Sequence, residues 1–208
     1  SGAVQQIATA SVELILQSYS ESELSTGFME TTRFEAHELL IIHLPRHVLV
    51  YDGSVTQGGM QWTVLKSGIF DGVHSGIDYV YEGNKVTCGD KVAGTIGVLD
   101  KSLSSQYGNQ QEHILYTPLF KADNARAFDF ELESATGVSQ IADRMFLSAT
   151  ADGINYGQEK IIPWNAPFRY EQRSILKRIG RIRKNIGFKI RIVTSAPVTL
   201  SGCQVRLE

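Results

Sequence analysis

Cysteine is scarce in this chain. Cys88 and Cys203 are the only two in 208 residues, and two thiols that far apart do not form a disulfide framework. Both therefore read as reduced cysteines. Long apolar runs are also missing. No stretch approaches the roughly 20 residues that a membrane-spanning helix needs, and no signal-peptide pattern is present. The first residue is Ser1, not Met, so Ser1-Gly2-Ala3 reads as a cloning or processing remnant and the chain as a fragment. Hydrophobic content of 42% and charged content of 20% are ordinary for a globular protein with a real core.

The most informative absence is acid near the end of the chain. Residues 172–207 contain no Asp or Glu but nine cations: Arg173, Lys177, Arg178, Arg181, Arg183, Lys184, Lys189, Arg191 and Arg206. Residues 1–171 carry 11 Lys+Arg against 21 Asp+Glu. The net charge of −2 thus hides a balance of −10 followed by one of +9. Such a split points to a polyanionic partner or to complementary docking between copies. The plain alternative is a set of solvated faces on terminal strands. Of the nine, Arg173, Lys177, Arg178, Arg181, Arg183, Lys184, Lys189 and Arg191 form the candidate docking set.

Catalytic and metal patterns are lacking too. Gly-x-Ser-x-Gly, phosphate-loop and dinucleotide patterns do not occur, so the reading assigns no catalytic residue, no cofactor and no enzyme activity. His43 and His47 have the four-residue spacing of a helical metal pair, but Pro45 lies between them and no further ligand cluster follows, so no metal is assigned. Thr150-Ala-Asp152-Gly153-Ile-Asn155-Tyr156 resembles the Asp-box hairpin of sialidases but lacks the residue normally between Asp and Gly. Asp152-Gly153 is read as a turn. Tyr81-Glu82 and Tyr170-Glu171 are adjacent pairs, and adjacent strand residues point to opposite faces, so neither makes an acid–base couple. Phe168, Tyr170 and Phe188 lie beside the cationic stretch, but core burial explains them better than base stacking.

What is present is mostly strand pattern. Val4, Ile7, Ala8, Ser11, Val12, Ile15 and Tyr19 recur at helical intervals, and Ser20 with Glu23 fits a capping box, so residues 1–32 are expected to be a helical segment. From 33 to 106 short apolar runs alternate with turns. Glu38–His43 and His47–Asp52 are separated by Leu44-Pro45-Arg46, and Gln61–Leu65 follows a Gly58-Gly59 turn. Gly76–Tyr81, Lys85–Cys88 and Gly94–Asp100 repeat the pattern, with turns at Glu82–Asn84 and Gly89-Asp90. These read as antiparallel β-propeller blades. Ser102–Gln111 reads as a linker. Residues 112–208 carry longer alternating strands such as Ala127–Glu133, Arg144–Ser148 and Phe188–Val193, which predict a β-sandwich. Ile175, Ile179, Ile182 and Ile186 lie at helical spacing, although Gly180 and Gly187 interrupt them. The fold class is all-β: a partial propeller with a short amino-terminal helical segment, followed by a sandwich.

In order, Glu35-Ala-His37-Glu38, Ile42-His-Leu-Pro45, Val50-Tyr-Asp52 and Gln61-Trp62 are joined by Tyr81–Lys85, Cys88-Gly-Asp90 and Ile96–Asp100. Tyr116-Thr-Pro118, Arg144–Ser148, Tyr170–Arg173, Ile179–Arg183 and Pro197–Leu200 complete the series. Together they resemble the carboxy-terminal part of the packaged-DNA stabilisation proteins, or tail hub proteins, of short-tailed bacteriophages. The resemblance implies a propeller with an added β domain, strand over Ile175–Ile186, and a longer amino end. It implies a structural virion protein of the head-to-tail connector that closes the portal channel and retains DNA. It further implies portal, adaptor, tailspike or tail needle partners, a hexameric ring, and assembly in the bacterial cytoplasm into the virion tail. DNA contact would be indirect or weak, with no membrane contact. The second function class is a glycan-binding or glycan-hydrolysing propeller module of a tail, which would need exposed aromatics and carboxylates clustered on loop ends.

Overall fold

Strand periodicity dominates the chain. The computed structural model describes residues 6–55, 61–69 and 71–207, with strand at 52% and helix at 6%. It divides into two compact units, Ser1–Ser67 with Asp71–Leu99 and Gly68–Phe70 with Asp100–Glu208.

The first unit opens with helices α1 (Ala10–Gln17) and α2 (Glu21–Leu24). Thr9 caps α1, and the Ser20–Glu23 capping box opens α2 as its sequence predicts. Of the helical segment expected over residues 1–32, residues 1–5 lie outside the described residues, residues 6–9 precede the first helix, and strand β1 (Phe28–Phe34) follows soon after Leu24. The inward positions of β1 are Glu30, Thr32 and Phe34, so polar residues hold two of three and the apolar alternation that would signal a strand is missing. Its pairing with β2 (His37–His43) is what holds it extended. An antiparallel sheet continues through β3 (Val48–Asp52), β4 (Trp62–Ser67) and β5 (Gly72–Val73). The expected Gly58-Gly59 turn lies outside the described residues. Strands β2 and β3 read as near-continuous apolar runs because both their faces are covered. Ile41, Val48 and Val50 pack with Tyr79, Val86 and Cys88, whereas Leu49 and Leu44 pack with Val12 and Tyr19 beside α1.

A second sheet of this unit contains β6 (Gly76–Glu82), β7 (Lys85–Asp90) and β8 (Ile96–Val98). Gly83 and Asn84 have φ of +58° and +63°, a two-residue turn of the primed type that matches strand twist. The turn expected at Gly89-Asp90 falls later. Strand β7 runs through Asp90, whose carboxylate accepts the Val92 and Ala93 amides at 2.7 Å each.

The two sheets of the first unit meet at a buried polar relay. His43, 2% exposed, faces Glu30 Oε1 through Nε2 at 2.5 Å and Lys91 Nζ through Nδ1 at 2.9 Å. An ammonium only donates, so Nδ1 accepts and the imidazole proton sits on Nε2, donating to Glu30. Glu30 Oε2 accepts the Tyr79 amide, and the Tyr79 hydroxyl meets His74 Nε2 at 2.6 Å.

The second unit is a β-sandwich. Its larger sheet has the order β14 (Lys160–Pro163), β13 (Arg144–Thr150), β16 (Asn185–Thr194), β10 (Asn109–Tyr116), β9 (Ser105–Gln106), and β11 (Phe120–Lys121) also pairs with β16. The smaller sheet places β12 (Arg126–Ser134) between β15 (Ser174–Arg181) and β17 (Leu200–Leu207). The expected linker at 102–111 is therefore a hairpin: Tyr107 and Gly108, at φ +50° and +83°, turn β9 into β10. Phe130, Phe188, Trp164, Met145, Leu147 and Ile190 form the core, with the Phe130 and Phe188 rings 4.4 Å apart.

The helix that Ile175–Ile186 spacing favours is absent. Leu176 and Ile179 both pack on the core although they are three residues apart, which a regular strand forbids. A bulge reconciles them, with Arg178 at φ +61° and Gly180 at φ +117°.

Burial is the main reason that His43 and His74 are held below the ordinary histidine value. Both are neutral when folded, whereas the unfolded chain takes up protons near pH 6.5. Their contribution to stability is then complete above about pH 6.5 and declines as pH falls through that value. Denaturant midpoints measured between pH 7.5 and pH 5 are expected to fall with acidity. A flat or rising profile would contradict the neutral assignment.

Candidate docking surface

The cations of residues 172–207 separate into two groups once the strands are paired. Central strand β12 alternates Phe130 and Leu132 inward with Asp129, Glu131 and Glu133 outward. Each outward carboxylate has a partner from a flanking segment. Arg206 Nη2 donates to Asp129 at 2.5 Å, Arg173 grips Glu131 through two nitrogens, and Gln204 Nε2 donates to Glu133 at 2.5 Å. The Arg173 guanidinium holds the Glu131 carboxyl below its usual range.

On the larger sheet, Arg191 lies 4.1 Å from the Phe146 ring centroid. Its Nε and Nη2 donate to Glu159 at 3.0 and 2.5 Å, and Nη1 donates to Glu112 at 3.3 Å. These hydrogen bonds raise the Arg191 pKa and lower that of Glu159. Lys189 reaches Glu159 at 3.9 Å. Arg173, Lys189 and Arg191 are thus neutralised within the unit, along with Arg206.

Lys177, Arg178, Arg181, Arg183 and Lys184 remain. All five are exposed, and none makes an ion pair among the described residues. They lie on edge strand β15 and on the turn into β16. That turn is fastened by its backbone: Ile182 donates to Ala125 O at 2.8 Å, Arg183 O accepts from Asn124 at 3.2 Å, and Lys184 O accepts from Ala122 at 2.9 Å. The main chain is held while the cationic ends project.

Pairing also brings Arg126 to this surface, directly opposite Arg181. Composition gave no reason to single out Arg126, which sits among the acids of β12 in sequence. Its guanidinium rests 5.2 Å from the Phe128 centroid. The second unit as a whole carries 15 Lys+Arg against 11 Asp+Glu, a net +4, and the first carries 5 against 11, a net −6. The split is smaller between folded units than between sequence windows, because most of the acids that neutralise the terminal cations lie in the same sandwich.

Other candidate positions resolve into structure. His47 Nδ1 meets the Tyr19 hydroxyl at 2.6 Å and His43 is held in the relay, so the two histidines serve different contacts. Asp152 accepts the Asn155 side-chain amide at 2.7 Å and the Asn155 and Ile154 backbone amides at 2.8 and 2.9 Å, and these hydrogen bonds, the side-chain one foremost, hold the 151–155 turn and depress its pKa. Phe188 is core, but Phe168 and Tyr170 are exposed at 84% and 68%, contrary to the burial expected for them. They sit on a loop whose carbonyls at Arg169 and Tyr170 both accept from Thr136 Oγ1.

These features define an all-β scaffold in which propeller-type blades are joined to a β-sandwich and unneutralised charge collects on one sandwich edge. The family model of the bacteriophage P22 Gp10 β-propeller matches residues 1–104, and that of the bacteriophage P22 Gp10 β-sandwich matches residues 112–208. The chain belongs to the P22 Gp10 family. It is 63% identical over all 208 residues to the tail hub protein gp10 of Salmonella phage P22, and it spans 44% of that protein's length. Neither matched model is that of a glycan-binding or glycan-cleaving module.

The two groups of cations differ in what their removal does to stability. Arg191→Ala, which strands two half-buried carboxylates, is expected to cost about 1–3 kcal/mol. Arg181→Gln and Arg183→Gln are expected to change stability by no more than about 0.5 kcal/mol each. Denaturant unfolding of the three variants checks this, and equal losses would contradict the division.

Proposed function

We propose that this chain is a structural part of a phage tail hub, within the head-to-tail connector of a virion, and acts by protein–protein assembly. The identity to the tail hub protein gp10 of Salmonella phage P22 carries this reading. In it, the assembled hub closes the portal channel and retains packaged DNA, with portal or adaptor, tailspike or tail needle proteins as neighbours. Copies form a ring, hexameric by family resemblance, and assembly takes place in the bacterial cytoplasm. The chain turns over no substrate in this reading. His43, Asp152 and Glu159, whose pKa values are perturbed, are engaged in a relay, a turn and ion pairs, where they serve the fold.

The free cations of β15 and of its turn into β16 are the proposed docking surface, facing an acidic surface on a neighbouring copy or another tail protein. The net −6 of the first unit supplies such a surface on every copy. Complementary charge sets register and association rate, while apolar contacts around it supply shape. Heterologous contacts of this kind close into rings when the rotation permits.

Charge reversal of Arg181, Arg183 and Lys184 to Glu in the full-length protein tests the assignment. Tail assembly is expected to fail, and the unmutated protein is expected to bind duplex DNA weakly at physiological salt. Tight duplex binding that falls steeply with salt, as phosphate contacts require, and that is lost in a variant that still assembles, would overturn it.

A further inference from the structure

Beneath the free cations lies a groove of about 470 Å³, between the end of β13 and the connection from β15 to β16. Its floor is apolar, built by Ile179, Ile182 and Ala149, and its rim is cationic, built by Arg181, Arg183 and Lys184. Ile182 belongs to the sandwich core and Ile179 packs against it, so the floor is fixed in place. The rim side chains are exposed, and their backbone is tied to the 122–125 segment.

Two further observations bear on what occupies it. Arg126 and Arg181 stand opposite one another on neighbouring strands, and like charges in that position destabilise a sheet unless an anion lies between them. The β15 bulge also puts Arg178, a non-glycine residue, at φ +61° beside Gly180 at +117°. A bulge with charged residues breaks the regular ladder that an added strand would need. Recognition at this edge therefore falls to side chains.

A phosphate backbone would satisfy the rim but leave the apolar floor wet, and a purely acidic peptide would do the same. Both parts are used only by a chain that offers carboxylates and apolar side chains together. We propose that this groove docks a segment of a partner protein in which acidic and apolar residues alternate. The carboxylates sit between the rim guanidinium groups, whose forked donors suit them, and the apolar side chains cover Ile179 and Ile182. The proposal rests on the reading of the β15–β16 connection as a protein-docking surface.

The test uses the full-length protein and three labelled probes followed by fluorescence anisotropy: a peptide alternating Glu and Leu, polyglutamate of equal length, and duplex DNA. The alternating peptide is expected to bind at least about tenfold more tightly than either other probe, a difference set by the floor. Ile179→Ser and Ala151→Gln, which change the floor and its border without touching a charge, are each expected to weaken the peptide about tenfold and leave duplex binding unchanged. Ala151 is exposed, so its variant retains the fold where Ile179→Ser loses stability, and thermal unfolding checks both. Polyglutamate or duplex binding as well as the peptide, no binding by any probe, or an unaltered peptide affinity in a folded Ala151→Gln variant would overturn the proposal. Those results concern the groove alone, since tail assembly by the unmutated protein is read separately.

Discussion

The alternation along β12 is the constraint from which the sandwich follows. A strand points successive side chains to opposite faces, and Arg126–Ser134 uses this to send Phe130 and Leu132 into the core while holding Asp129, Glu131 and Glu133 outside. The inward set fixes the position of the opposite sheet through the Phe130–Phe188 contact. The outward set fixes the charge of the flanking segments, because each carboxylate takes a partner from the β17 side or the β15 side. A shift of one residue in β12 would expose Phe130 and Leu132 and bury the acids at once. The register is therefore strongly specified, and both neighbours inherit it.

The charge of the surface is what remains after that pairing. Arg173, Lys189, Arg191 and Arg206 meet carboxylates of the same unit, whereas five cations near the β15–β16 turn meet none among the described residues. Pairing on β12 also adds Arg126 to them. Exposed ion pairs contribute little to stability, so their effect here is chiefly to neutralise one face and concentrate unneutralised charge at another. An unneutralised cationic edge over an apolar floor suits the protein–protein assembly proposed for this member of the P22 Gp10 family.

Much of the fold was legible from residues wherever local chemistry and tertiary pairing agree. Leu44-Pro45-Arg46, Glu82–Asn84 and the Ser20–Glu23 box each act locally, and each is found where the sequence indicates it. Strand β1 was not legible, because two of its inward positions are polar: Glu30 serves the His43 relay, and the Thr32 hydroxyl is buried without a hydrogen-bond partner. Ile175–Ile186 looks helical because its bulge resets the strand period by one residue, something that spacing cannot reveal. The Tyr107-Gly108 hairpin was concealed by its polar surroundings, and only its pairing identifies it. For the candidate docking surface, the sequence singled out the cations as a group. It could not say which are neutralised, since the partners Glu112, Asp129, Glu131 and Glu159 lie 30 to 79 residues away.

Amide hydrogen exchange on the full-length protein, compared free and within assembled tails, addresses the central claim most directly. The account predicts strong new protection on assembly over residues 177–184, with little change around Arg191, whose partners are already internal. Exchange over 177–184 that is as fast in the assembled tail as in the free protein would contradict it.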